Sequence, residues 1–324
     1  MTMRSDNTTK RSGLLGIRGV SWRLMLIPVL LCMMIPVGVS AFMFHNDSAH
    51  TGIFDDGGTH PNNVTKWSYS FGNYIQDVTD NSTYASPAVV NGVVYEGSLG
   101  NHMTAFNAAT GAVIWDFGPT NGDIHSSAAV VNNVVYFTDY DNKLYALNAN
   151  DGSSHWSSPA DIGAPGHSSP AVINSVVYVG SDNGKLFAFN ADTGAQIWSK
   201  STNTTPTATG FMHSSPAVVG NAVFVGNENG NISAFYANNG TTIWSRALGG
   251  DVYSSPAVVN NVVYVGNFNG NLYALDAADG DDVWTFHSGD GVLSSPAVAN
   301  GIVYVGSLGG NLFAINANTG RLGF

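Results

Sequence analysis

Cysteine is almost absent from this 324-residue chain. Cys32 stands alone inside an apolar run, which excludes a disulfide framework and argues against a reactive thiol. Charge is scarce too: Asp, Glu, Lys and Arg make up 10% of the residues, against roughly 25% in an ordinary soluble domain. Asn, Ser, Thr and Gly supply the polar surface instead. The only glutamates are Glu96 and Glu228, and the only arginines beyond residue 23 are Arg246 and Arg321. Five cations (Arg4, Lys10, Arg11, Arg18, Arg23) sit at the N-terminus, so residues 42–324 carry 6 basic and 21 acidic groups, a net charge of −15. Such a body has no electrostatic footprint for nucleic acid and is repelled by anionic lipid. Hydrophobic residues at 44% exclude intrinsic disorder. No helical pattern separates the apolar runs, which excludes a βαβ architecture, and no G-x-S-x-G, P-loop or H-E-x-x-H motif is present.

What is there begins with an address. Residues 24–44 (LMLIPVLLCMMIPVGVSAFMF) are uncharged and long enough to span a bilayer. Residues 24–37 also have the length of a signal-peptide core, and Val39-Ser40-Ala41 makes a small-residue cleavage site before Phe42. Cleavage is the favoured reading, and an uncleaved membrane anchor the alternative. Either way the cationic flank stays in the cytoplasm and the chain from His45 onward is exported, to an extracellular or periplasmic location. Residues 1–41 are therefore signal peptide or anchor, 42–65 a connecting segment, and 66–324 the folded body.

That body repeats itself. The phrase SSPAV places its proline position at Pro87, Ala128, Pro170, Pro216, Pro256 and Pro296, in steps of 41, 42, 46, 40 and 40 residues. Trp67, Trp115, Trp156, Trp198, Trp244 and Trp284 follow a similar period. Within residues 254–286, four apolar runs (SPAVV, VVYVG, NLYAL, DVWTF) are separated by Asn260-Asn261, Asn269-Gly270 and Asp279-Gly280. Asn-Gly and Asp-Gly supply the positive φ of tight hairpins, so each unit predicts a four-stranded antiparallel meander. Such a sheet has two apolar faces and must pack against its neighbours around an axis. The expected fold is an all-β propeller of six visible repeats, with a seventh left open. The strand KWSYSF at 66–71 is expected to complete the last blade and close the ring, unless the C-terminal RLGF is the true outer strand.

Each unit ends in A-x-[DN]-x-x-[TDN]-G-x-x-x-W or a close variant: Ala105, Asn107, Thr110, Gly111 and Trp115 in the first, Ala188, Asn190, Thr193, Gly194 and Trp198 in the third. The last copy puts Phe324 at the Trp position. This resembles the tryptophan-docking motif of the PQQ-like β-propeller repeat family. The residue chemistry alone implies structural roles: Ala admits the neighbouring sheet, Asn or Asp bonds the turn, Gly takes φ > 0 and the aromatic ring plugs the gap between blades.

The resemblance implies two functional classes. Quinone-binding members stack pyrroloquinoline quinone over a Trp, hold calcium with Glu, Asn and Asp, and use an Asp base beside an Arg. Few of those residue types are available here, so a PQQ- and calcium-dependent dehydrogenase is the alternative, and no cofactor and no catalytic residue are expected. Other members include the propeller subunit of the outer-membrane β-barrel assembly machinery, a scaffold. A non-catalytic scaffold docking a surface or membrane protein, or a glycan, is the leading expectation.

A last pattern exceeds what packing requires. Tyr84, His125, His167, His213, Tyr253 and Leu293 each stand three positions ahead of the repeated Pro or Ala. In a propeller they converge on one mouth of the axis, where they either cap strand starts through backbone carbonyls or bind a small ligand or metal. One blade step between imidazoles is expected to be too wide for joint ligation of one ion, so no metal is expected, and the imidazoles are expected to titrate near 6–7. The His45-Asn-Asp47-Ser-Ala-His50 stretch is read as packing or capping.

Overall fold

In the computed structural model, residues 65–71, 84–203 and 210–322 are described. They form six antiparallel sheets in sequence order, five of four strands and a sixth of three. The first sheet runs β1 (Ala88–Val90), β2 (Val93–Gly97), β3 (Met103–Asn107) and β4 (Val113–Phe117). We call the sheets blades I to VI, spanning 88–117, 129–161, 171–201, 217–247, 257–287 and 297–316. The architecture is an all-β propeller. Among the described residues no helix is long and apolar enough to cross a membrane; residues 24–44, His45–His50 and Phe324 lie outside them.

Each blade starts with a two-residue hairpin. Asn260 and Asn261 sit at φ 50° and 64°, and Asn91-Gly92 at 50° and 78°, the left-handed pair that joins right-twisted strands without splaying them. The next feature is a row of three residues across the sheet. Tyr178 pairs with Ala188, which pairs with Trp198. The small central Ala lets both aromatic rings lie over it and reach the next blade. Tyr178 Oη and Trp198 Nε1 both donate to Ala237 O, at 3.1 and 2.9 Å. Tyr136 with Trp156 on Ala191 O and Tyr264 with Trp284 on Ala317 O repeat the arrangement. In blade IV, Phe224 replaces the tyrosine and Trp244 donates alone to Ala277 O.

The indole also selects glycine in the turn it covers. Gly194 has φ 71°, and a Cβ there would stand 2.8 Å from Trp156. Gly280, at φ 79°, would meet Trp244 at 2.7 Å. The preceding Asn closes the same turn: Asn190 Oδ1 accepts from the backbone N–H groups of Asp192 and Thr193.

The two serines of SSPAV divide their labour. The first ties its own blade together, as Gly180 N–H donates to Ser168 Oγ and Gly266 N–H to Ser254 Oγ. The second links blades: Ser86 N–H donates to Ser127 Oγ, Ser127 to Ser169, Ser169 to Ser215, Ser215 to Ser255 and Ser255 to Ser295, all at 2.8–3.0 Å. This ladder draws the first strands together at the axis. Among the described residues it runs from blade I to blade VI and stops at Ser295.

The chain ends differ from the expected closure. Leu322 bridges Ile315 and so occupies the outer edge of blade VI. Residues 65–71 carry no strand ladder. Trp67 instead docks on blade I, donating to Ala108 O at 3.0 Å and covering Gly111. The outer position that KWSYSF would need in blade VI is the one Leu322 enters.

Candidate functional site

The serine ladder sets the site, because the residue two positions before each linking serine is carried to the axis with it. Tyr84, His125, His167, His213 and Tyr253 form one continuous arc. Consecutive ring centroids are 5.2, 5.0, 4.1 and 5.3 Å apart. One blade step is therefore narrower at these side chains than the sequence led us to expect, since the rings point inward from strands already linked by serine bonds.

A second arc comes from the turns between second and third strands, at Tyr140, Asp182, Glu228, Phe268 and Leu308. A backbone bond fixes each one: Asp182 N–H donates to Pro165 O at 3.0 Å, Glu228 to Phe211 O at 3.1 Å, and Phe268 to Asp251 O at 2.9 Å. The carbonyl acceptor lies two residues before the first-arc residue, so the arcs are held side by side. Tyr140 thus meets His125 and His167, each at a centroid distance of 5.1 Å, and Phe268 lies beside Tyr253.

The imidazole partners are carboxylates of the same blade rather than the backbone carbonyls of a strand cap. His167 Nδ1 lies 2.8 Å from Asp182 Oδ2, and His213 Nδ1 lies 3.3 Å from Glu228 Oε1. His125 Nε2 is 3.9 Å from Asp123, a looser contact. Burial lowers the His213 pKa to about 4, with repulsion from His167 adding to it, and the same two causes lower His125. The titration near 6–7 expected from free imidazole does not hold for these two, because the ladder places each beside His167 in a partly dry site. Burial raises the Glu228 carboxyl, partly offset by its hydrogen bond with Tyr253, and raises the Tyr253 phenol.

Asp182 and Glu228 are the site residues that the sequence reading missed. Their turns, Asp182-Asn183-Gly184 and Glu228-Asn229-Gly230, have the composition of ordinary hairpins. The available signal was the turn position itself: the other blades place Leu99, Tyr140, Phe268 and Leu308 there, and only the two blades opening with His167 and His213 place an acid.

Outside this cluster, several large apolar side chains among the described residues of the rim are exposed. Tyr84, Tyr140, Phe211, Phe268 and Leu308 are 65, 44, 47, 51 and 62% exposed. The tryptophans lie elsewhere: Trp67, Trp115, Trp156, Trp198, Trp244 and Trp284 each donate their indole N–H to an alanine carbonyl in an adjacent docking turn. Arg246 is on an outer strand, bonded to Gly280 O and Asp282.

The fold has known counterparts. BamB from Moraxella catarrhalis is 20% identical, with a TM-score of 0.62 over 74% of this chain and 71% of that one. A europium-containing methanol dehydrogenase is 15% identical, with a TM-score of 0.63 over 73% and 67%. The quinohemoprotein alcohol dehydrogenase ADHIIG from Pseudomonas putida HK5 is 21% identical, with a TM-score of 0.54 over 61% of this chain and 41% of that one. No curated protein sequence matches the chain. Residues 65–250 and 228–323 match the family described as outer membrane protein assembly factor BamB. The chain therefore belongs to this family of PQQ-like β-propellers.

Proposed function

We propose that the protein is an exported, non-catalytic scaffold that docks another protein of the cell surface or envelope through the axial rim. The observation that carries this reading is the exposed arc of Tyr84, Tyr140, Phe211, Phe268 and Leu308. Rigid aromatic side chains give large contact area at small entropic cost, and they dominate the buried centres of protein interfaces. Membership in the assembly-factor family supports a protein partner over a glycan, which the same rings could also stack against. The leader and the positive-inside rule support export.

The residues do not fit pyrroloquinoline quinone. The six described indoles are committed to docking turns through bonds to alanine carbonyls, and Arg246 is paired on an outer strand. The test is a pull-down from the native membrane fraction with the unaltered protein and with Phe268→Ser/Leu308→Ser. One discrete partner, lost in the double variant while the fold is retained, supports the reading. Equal capture by both proteins rejects the rim. A quinone chromophore with dye-linked alcohol oxidation after incubation with PQQ and calcium rejects the non-catalytic assignment.

A further inference from the structure

We infer that His167, Asp182 and His213 form a binding site for one divalent transition-metal ion of the zinc type. One ligand atom from each lies within 4.8 Å of the other two. A four-coordinate ion at bond lengths of about 2.0–2.1 Å needs ligand atoms about 3.3 Å apart, a contraction that side-chain torsions can supply. Two imidazoles and one carboxylate form the donor set of an open zinc site, with a coordination position left for water or an incoming group.

A second observation points to a ligand independently of this spacing. The Asp182 side chain is only 7% exposed. Its Oδ2 meets His167, but Oδ1 is fully buried and has no hydrogen-bond partner. An unsatisfied buried carboxylate oxygen costs about 1–3 kcal/mol or more, and such groups in folded proteins call for an explanation. A bound cation satisfies it. Simple capping does not, because a cap needs only the oxygen already bonded to His167. Beside the three ligands, Glu228 stands 3.3 Å from His213 Nδ1 and can hold that ring while Nε2 is left for the ion. A carboxylate in this position orients a metal-binding imidazole.

The test uses the whole exported chain, stripped with chelator and titrated calorimetrically with zinc, nickel, calcium and magnesium chlorides near pH 7.5. The expected result is one zinc or nickel ion per chain, with calcium and magnesium far weaker, since imidazole donors disfavour hard cations. His167→Ala, His213→Ala and Asp182→Asn should each weaken zinc by more than about 10-fold, while His45→Ala/His50→Ala leaves it unchanged. If a variant fails to fold, Co²⁺ added to the unaltered protein should give the intense visible bands of a four-coordinate site. Absent zinc binding, binding insensitive to Asp182→Asn, or only pale six-coordinate cobalt would overturn the inference. The scaffold reading stands or falls separately, on the pull-down made in chelator.

Discussion

Blades V and VI carry nearly the same third strand, NLYALD and NLFAIN, yet bury it in opposite ways. Leu272 of blade V is 0% exposed and Leu312 of blade VI is 77% exposed. Met103, Leu144, Leu186 and Ile232 hold the same position in the other four blades, all at 0%. The tyrosine row tells the same story, with Tyr264 at 3% and Tyr304 at 40%. At the other end of the arc, Val89 is 49% exposed while Val130, Val172, Val218, Val258 and Val298 are at 5% or less. Repeat sequence makes a side chain apolar, but only the next blade makes it buried. The stability of such an array is therefore a sum over neighbour interfaces.

The comparison can be broken most forcefully in the interior. Trp198→Ala should cost about 3–5 kcal/mol and Leu272→Ala about 2–5 kcal/mol in denaturant unfolding, as for other large-to-small core changes. Leu312→Ala, the same exchange at the open face, should change stability by less than about 0.5 kcal/mol. Equal losses at 272 and 312 would show that blade VI is covered in solution.

A subtler interface lies between blades IV and V. Where Phe224 replaces the tyrosine, a cleft of about 370 Å³ opens beside Val219, Tyr236, Ile243 and Val258. The clefts beside Tyr136 and Tyr178 are about 110 and 180 Å³. Phe224→Tyr should add a hydroxyl beside the Trp244 indole as a second donor to Ala277 O and stabilise by about 0.5–1.5 kcal/mol, read as a raised denaturation midpoint. Destabilisation would mean that the cleft cannot accept the hydroxyl.

A further effect is on pH. His213 titrates at about 4 in the fold and near 6.5 when unfolded. Between those values the unfolded chain takes up the proton and the folded chain does not, so this group destabilises the fold as pH falls from 6.5 toward 4. His125, also lowered, acts in the same direction, while the raised Glu228 opposes it. His167, Asp182 and Tyr253 complete the groups facing the ring. In urea unfolding with EDTA present, His213→Phe should flatten the loss of stability over this window. An unchanged slope would contradict the buried, neutral imidazole.

The propeller was legible because its determinants are local and repeated. Ala188, Asn190, Gly194 and Trp198 each answer a constraint visible within one unit: room for two rings, a turn bond, a positive φ and a gap to fill. The mouth was half legible. Pseudo-symmetry placed Tyr84, His125, His167, His213 and Tyr253 in one row, but how close they come depends on the serine ladder, and nothing in SSPAV says which serine bonds its own blade. Asp182 and Glu228 were hidden because Asp-Asn-Gly and Glu-Asn-Gly also satisfy a hairpin. Ring closure stayed undecided for a related reason: KWSYSF and RLGF both suit an outer strand, and pairing alone decides between them.

The most direct test of the docking account is site-specific photo-crosslinking in cells. Probes at Tyr84 and Phe268 on the rim should capture one envelope protein, and probes at the exposed outer-strand positions Ile197 and Val283 should not. Crosslinks confined to the outer strands, or the same faint background from all four positions, would contradict the claim that the axial rim is the binding face.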